Sequence, residues 1–103
     1  MPLQELNEKE LLALSQADIG RAAVLFTTPM CGTCKVAERM LEIADAAGTD
    51  YSVFKSNINF TPRLRETWRI ASVPCLIVLK NGQVVRQEYA MRSVDYLYGL
   101  LKD

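Results

Sequence analysis

Two thiols separated by two residues, in Cys31-Gly32-Thr33-Cys34, are the side chains of this sequence best placed to do chemistry. They follow an apolar run, Ala22-Ala23-Val24-Leu25-Phe26, and a helical pattern opens at the first of them. A thiol at a helix N-terminus meets unpaired backbone N–H groups and the positive end of the helix dipole, and both favour the thiolate. A second thiol one turn further on can attack any mixed disulfide formed at the first. The chemistry that this spacing implies is dithiol–disulfide exchange. Cys31 is the expected nucleophile: the reference thiol pKa of about 8.5 falls to roughly 3.5–7.5 at helix N-termini or in motifs of this kind. Cys34 is the expected resolving thiol, more buried and acting at the high effective concentration of an intramolecular group. Thr33 places a hydroxyl and a backbone N–H near the Cys31 sulfur. Donors there stabilise thiolate over disulfide, which lowers the pKa and makes the pair more oxidising.

The rest of the composition narrows the field. The chain has 103 residues, which fits one domain over 1–103. Twelve basic and twelve acidic residues cancel, so neither nucleic acid nor an anionic membrane is an expected partner. The sequence contains no histidine, which removes Cys–His nucleophilic hydrolysis, Cys₂His₂ zinc sites and imidazole acid–base chemistry together. Three cysteines are too few for a disulfide-rich secreted scaffold, and the odd count leaves one thiol outside any intramolecular pair. Both facts suit a reducing cytosol. No signal-peptide pattern is visible at Met1-Pro2-Leu3-Gln4-Glu5-Leu6, and the apolar stretches are strand-sized, short of the ~20 residues that span a membrane. The third thiol, Cys75, follows Pro74 directly. As a buried strand cysteine it is a small hydrophobe. If it faces the pair, it could trap Cys31 or join a metal site. A four-ligand zinc site needs two ligands beyond the CxxC pair, and only Cys75 remains. No metal or cofactor is therefore expected, with zinc or iron–sulfur binding through three cysteines the competing use. Lys55, Asn59, Arg63, Arg65 and Arg69 are expected as solvated surface residues, and Trp68 as partly buried helix packing.

The elements that would position the pair follow from periodicity and punctuation. Asn7 caps a first helix that carries Leu11, Leu12 and Leu14 and stops at Gly20. Ala22 to Thr27 reads as a strand covered on both faces, and Thr28-Pro29-Met30 as a loop. A longer helix runs from about Cys31 to Ala47, with Val36, Ala37, Met40, Leu41 and Ala44 at helical spacing. Tyr51 to Phe54 is a second strand. Thr61-Pro62 opens a short helix that runs through Trp68. Pro74 to Leu79 and Val84 to Tyr89 form a hairpin across Asn81-Gly82, whose central residues accept positive φ. Ser93 caps a last helix carrying Val94, Leu97, Leu100 and Leu101. This α-β-α-β-α-β-β-α order implies a mixed sheet with helices on both faces.

Cys31-Gly32-Thr33-Cys34, Val73-Pro74 about forty residues later and Lys80-Asn81-Gly82 in its hairpin together resemble the thioredoxin family over nearly the whole length. The resemblance implies an α/β thioredoxin fold, with a central mixed sheet of four to five strands flanked by helices on both faces. It implies a cis bond before Pro74, facing the disulfide, and a Val73 backbone that pairs with extended substrate. Met30 and Thr33 complete the expected substrate-binding set, with Met30, Val73, Ala90 and Met91 forming an apolar patch around the thiols. By the same resemblance the chain is a cytoplasmic, monomeric protein-disulfide reductase. Its partners are disulfide-containing proteins and a thioredoxin-reductase-type or dithiol electron donor. A thioredoxin-fold redox sensor or binding module with little turnover is the alternative. Four departures stand out: Met30 replaces tryptophan, Thr33 proline and Ala90 glycine, and Leu25 replaces the buried aspartate thought to help deprotonate the second cysteine. Lys55 matches the family's lysine on the next strand. Without the acid, Cys34 lacks an obvious base, and resolution is expected to be slow unless water or Lys55 assists.

Overall fold

A computed structural model describes residues 2–16 and 20–102. Five strands form one sheet in the order β1-β3-β2-β4-β5, where β1 is Gln4–Glu5, β2 Arg21–Thr27, β3 Ser52–Asn57, β4 Cys75–Lys80 and β5 Gln83–Glu88. The first three neighbours run parallel, while β4 pairs antiparallel with β2 and with β5. The sheet is mixed because its two halves are joined differently. Parallel β2 and β3 require a crossover, supplied by α2 (Gly32–Ala46), whereas the antiparallel β4 and β5 close through a tight turn. In that turn Asn81 and Gly82 both hold positive φ, at 53° and 79°, as the sequence leads one to expect.

Burial explains why β2 is apolar from Ala22 to Phe26. Ala23 and Leu25 face one side of the sheet with Ala37 and Leu41 of α2, Leu97 of α4 (Val94–Leu100) and Leu76 of β4. Ala22, Val24 and Phe26 face the other side with Leu11 of α1 (Glu8–Gln16) and Leu64 of α3 (Pro62–Thr67). Helices therefore cover both faces, and alternation along β2 and β4 assigns their buried side chains to one of two cores. The fold is the one the resemblance implies.

Local signals account for most helix ends. Asn7 and Glu10 form a reciprocal capping box, each side chain accepting the other's backbone N–H at 2.8 Å. Ser93 Oγ accepts the Tyr96 N–H at 3.0 Å. The first helix is described to Gln16, and its expected stop lies beyond that, with 17–19 outside the described residues. Three expectations change. Thr61 precedes α3 without capping it, and its buried hydroxyl instead donates to the Ile58 carbonyl at 3.3 Å. Strand β3 continues past Phe54 to Asn57, because its polar residues also pair with β2. Strand β1 is additional, a two-residue edge held parallel to β3 through Gln4↔Phe54 and Glu5↔Lys55. Two residues carry no periodicity, so only the neighbouring strand makes them a strand.

Candidate functional site

The thiol pair sits where β2 hands over to α2. After Thr27 the chain turns through Thr28-Pro29-Met30, closed by a hydrogen bond from the Cys31 N–H to the Thr28 carbonyl at 3.4 Å. Cys31 is the N-cap of α2, in extended conformation at φ −108° and ψ 110°. Its sulfur takes the part a serine or aspartate oxygen plays at other helix starts: Sγ accepts the Cys34 N–H at 3.2 Å. A thiolate there gains a charge-assisted hydrogen bond and the field of the helix dipole. Thr33 Oγ1 lies 3.2 Å from the same sulfur, so a second donor is in reach. Cys31 and Cys34 are joined as a disulfide, with Cα atoms 5.2 Å apart. Cys34 is 1% exposed, while Cys31 is half-buried, and nothing crowds the space above Gly32. One sulfur is open to a partner and the other is shielded behind it. That is the arrangement an attacking and a resolving thiol require.

Two hollows flank the pair. On one side an apolar groove of about 410 Å³ is lined by Thr33, Val36, Met40, Pro74, Tyr89 and Met91. The Val73–Pro74 bond is cis. Thr33 both contacts the Cys31 sulfur and lines this groove, so the groove reaches the disulfide. Val73 lines a different, smaller cleft, with Thr28 and Ile70. Met30 projects from the loop, 95% exposed. The expected apolar patch is thus divided. Met30 and Ala90 are exposed and Val73 is half-buried, while Met91 is anchored in the core against α4.

On the other side a cleft of about 180 Å³ is lined by Cys34 together with Glu5, Lys35, Glu38, Lys55 and Asn57. Lys55 is not the solvated surface residue expected from the sequence: its Nζ lies 2.9 Å from Glu38 Oε2, with the two side chains 24% and 23% exposed. That hydrogen bond holds the lysine above its ordinary pKa. Burial opposes the rise, and the charges of Glu38, Glu5 and Glu42 add to it. Glu38 was not singled out from the sequence. The available signal was its place four residues after Cys34, which puts both on one helix face.

Cys75 belongs to the opposite core, packed with Phe26, Leu64 and Ile77, away from α2. Burial pushes its thiol up to about 11, partly offset by hydrogen bonds with Tyr89 and Gln87. At neutral pH it stays a thiol, and neither its face nor its protonation suits it to trap Cys31. Among the described residues no group of three or more His, Cys, Asp or Glu side chains could hold a metal ion. Trp68 packs edge-on against Phe26 with ring centroids 6.0 Å apart, the structural role expected of it. No helix among the described residues is long and apolar enough to cross a membrane.

The Thr33 contact has a measurable consequence. Thr33→Pro keeps a residue tolerated in the first turn of α2 but removes the hydroxyl beside Cys31 Sγ. The thiolate loses a donor, so the pair becomes more reducing. One weak hydrogen bond corresponds to a fall of roughly 10–30 mV, at 30 mV for about 1.4 kcal/mol in a two-electron couple. Equilibration against glutathione reads this directly, and an unchanged or raised potential contradicts it.

Comparisons with known proteins point to one family and one fold. The family model described as Thioredoxin matches residues 4–103. The chain is 40% identical over 100 residues to "Thioredoxin-like protein YusE" of Bacillus subtilis, a match covering 97% of this chain and 92% of that protein. It is 35% identical over 79 residues to a thioredoxin of Mycobacterium bovis, covering 76% and 68% of the two chains. Among solved structures, a mutant thioredoxin from Halobacterium salinarum superposes with a TM-score of 0.79 at 26% identity, covering 97% of this chain and 87% of that one.

Proposed function

This chain belongs to the thioredoxin family, and from that premise we propose that it is a single-domain cytoplasmic protein-disulfide reductase. The observation that carries the reading is the Cys31 sulfur at the N-cap of α2. It accepts the Cys34 N–H at 3.2 Å, with Cys34 buried one turn behind it. The Cys31 thiolate attacks one sulfur of a substrate disulfide. A Cys31–substrate bond forms, the substrate S–S bond breaks, and the second substrate sulfur leaves as a thiolate. Cys34 then attacks Cys31, which closes the Cys31–Cys34 disulfide and releases the substrate's other sulfur. The substrate gains two electrons and the pair loses two. A dithiol or a thioredoxin-reductase-type donor restores the pair.

Substrate is taken in extended form beside the groove that Thr33 and Pro74 line. The Val73 backbone pairs with it, and the exposed Met30 supplies apolar contact. The test is reduction of insulin disulfides with a thioredoxin reductase and NADPH, or with dithiothreitol, as the electron source. Catalytic turnover above the donor alone supports the reading. A chain whose pair is oxidised and reduced but which does not accelerate insulin reduction contradicts it.

A further inference from the structure

A buried thiol must lose its proton before it attacks, and apolar surroundings raise the cost of doing so. Cys34 is 1% exposed, and the fully buried Leu25 offers it no acid. The sheet register shows where the acid has gone. Leu25 pairs with Lys55 across β2 and β3, so the lysine's neighbour within the sheet is apolar. Its carboxylate comes from the helix instead, as Glu38 at 2.9 Å. Glu38 lies one helical turn beyond Cys34, a spacing that puts Cβ atoms about 6 Å apart on one face. Both residues line the cleft of about 180 Å³ with Lys55, a polar hollow with room for bridging water.

We propose that Glu38, held in place by Lys55, accepts the Cys34 proton through a water in this cleft. The inference rests on the thiol-exchange reading above. In the mixed disulfide of Cys31 and substrate, the Cys34 S–H proton passes to the water as the water gives a proton to the Glu38 carboxylate. The Cys34 thiolate attacks Cys31 Sγ, the Cys31–Cys34 bond forms and the Cys31–substrate bond breaks. The bonding pair leaves on the substrate sulfur, which takes a proton from solvent. Glu38 returns its proton to solvent through the open mouth of the cleft. Lys55 from β3 holds the carboxylate in place at 2.9 Å. Lys35 on α2 and Glu5 on β1 face the same cleft, and the charge of Glu42 on α2 also acts on Lys55.

The experiment mixes the reduced protein with an aromatic disulfide that releases a coloured thiolate, such as Ellman's reagent. The first release reports attack by Cys31, and the second reports resolution by Cys34. In Glu38→Gln the second phase slows roughly tenfold or more at pH 7, as loss of a general base implies, and converges on the native rate by about pH 9, where hydroxide removes the proton. The first phase, in which Glu38 takes no part, is the internal reference for a folded, reactive site. Glu38→Asp restores part of the rate, and Glu5→Gln leaves it near native. An unchanged second phase overturns the inference. So does a faster one, because removing a negative charge that acted only by electrostatics would lower the Cys34 pKa. Equal slowing in Glu38→Asp and Glu38→Gln, flat with pH, marks a purely structural role and overturns it too. If the native protein shows neither phase, thiol exchange itself fails and the inference goes with it.

Discussion

Cys31→Ser is expected to bring insulin reduction down to the rate of the electron donor alone, whereas Cys34→Ser stops the reaction halfway. The two thiols are chemically alike, and the fold makes them different. Cys31 is half-buried at a helix start where its sulfur accepts a backbone N–H, so it is reachable and a thiolate there has a donor. Cys34 is 1% exposed and reaches only what Cys31 presents to it. Without Cys31 no substrate sulfur is engaged. Without Cys34 the Cys31–substrate disulfide still forms, but nothing resolves it within the molecule. It should accumulate to near one equivalent and be visible as a covalent adduct under non-reducing conditions. Full turnover in Cys31→Ser, or adducts accumulating on Cys34 in place of Cys31, would reverse the assignment. Cys75 does not rescue either variant, because it faces the other core and its thiol is pushed up to about 11.

The second large effect concerns stability. Leu25→Asp is expected to cost about 4 kcal/mol or more at neutral pH, a large part of the 5–15 kcal/mol that holds a typical domain together. Leu25 is 0% exposed and packs with Ala37 and Leu41 of α2 and Leu76 of β4. Removing most of its side chain costs about 2–5 kcal/mol, and burying a carboxyl that lacks a full set of partners adds about 1–3 kcal/mol. The sign with pH follows from burial. Desolvation raises the folded-state pKa of the introduced carboxyl above its unfolded value of about 3.9, so the folded state binds the proton more tightly. Relative to the native chain, the variant is therefore least destabilised below pH ~4, and the gap widens as pH rises through the folded-state pKa. Urea midpoints of both proteins at pH 4 and pH 7 measure this. A variant as stable as the native chain at pH 7 would mean that Lys55 leaves Glu38 to pair with the new carboxylate, and the expected cost would then be wrong.

Much of the fold was legible because it rests on local signals. The capping roles of Asn7 and Ser93, the turn at Asn81-Gly82 and the periodicity of α2 each lie within a few residues, so chain order alone exposes them. Strand β1 was not legible, since Gln4 and Glu5 become a strand only by pairing with Phe54 and Lys55. The reach of β3 was hidden for a related reason. Lys55, Ser56 and Asn57 interrupt an apolar pattern, and the partner strand β2 supplies the order that their own side chains do not.

The sequence by itself exposed the thiol pair, because CxxC spacing, strand–turn–helix context and the helix N-terminus all lie within one stretch of chain, and it pointed to the family and the α/β fold through Val73-Pro74, Lys80-Asn81-Gly82 and the order of its local elements. It also excluded histidine chemistry, and the resemblance marked Leu25 as standing where the family carries an acid. Only the tertiary structure decided which face Cys75 takes, that Met91 is buried while Met30 is not, and that Lys55 pairs with Glu38 across seventeen residues of chain. Each of these depends on which side of a shared sheet two distant segments meet. A lysine that looks solvated in sequence becomes half of an ion pair beside Cys34 because the register of β2 and β3 leaves it an apolar neighbour, and α2, crossing above, carries the carboxylate that takes its place.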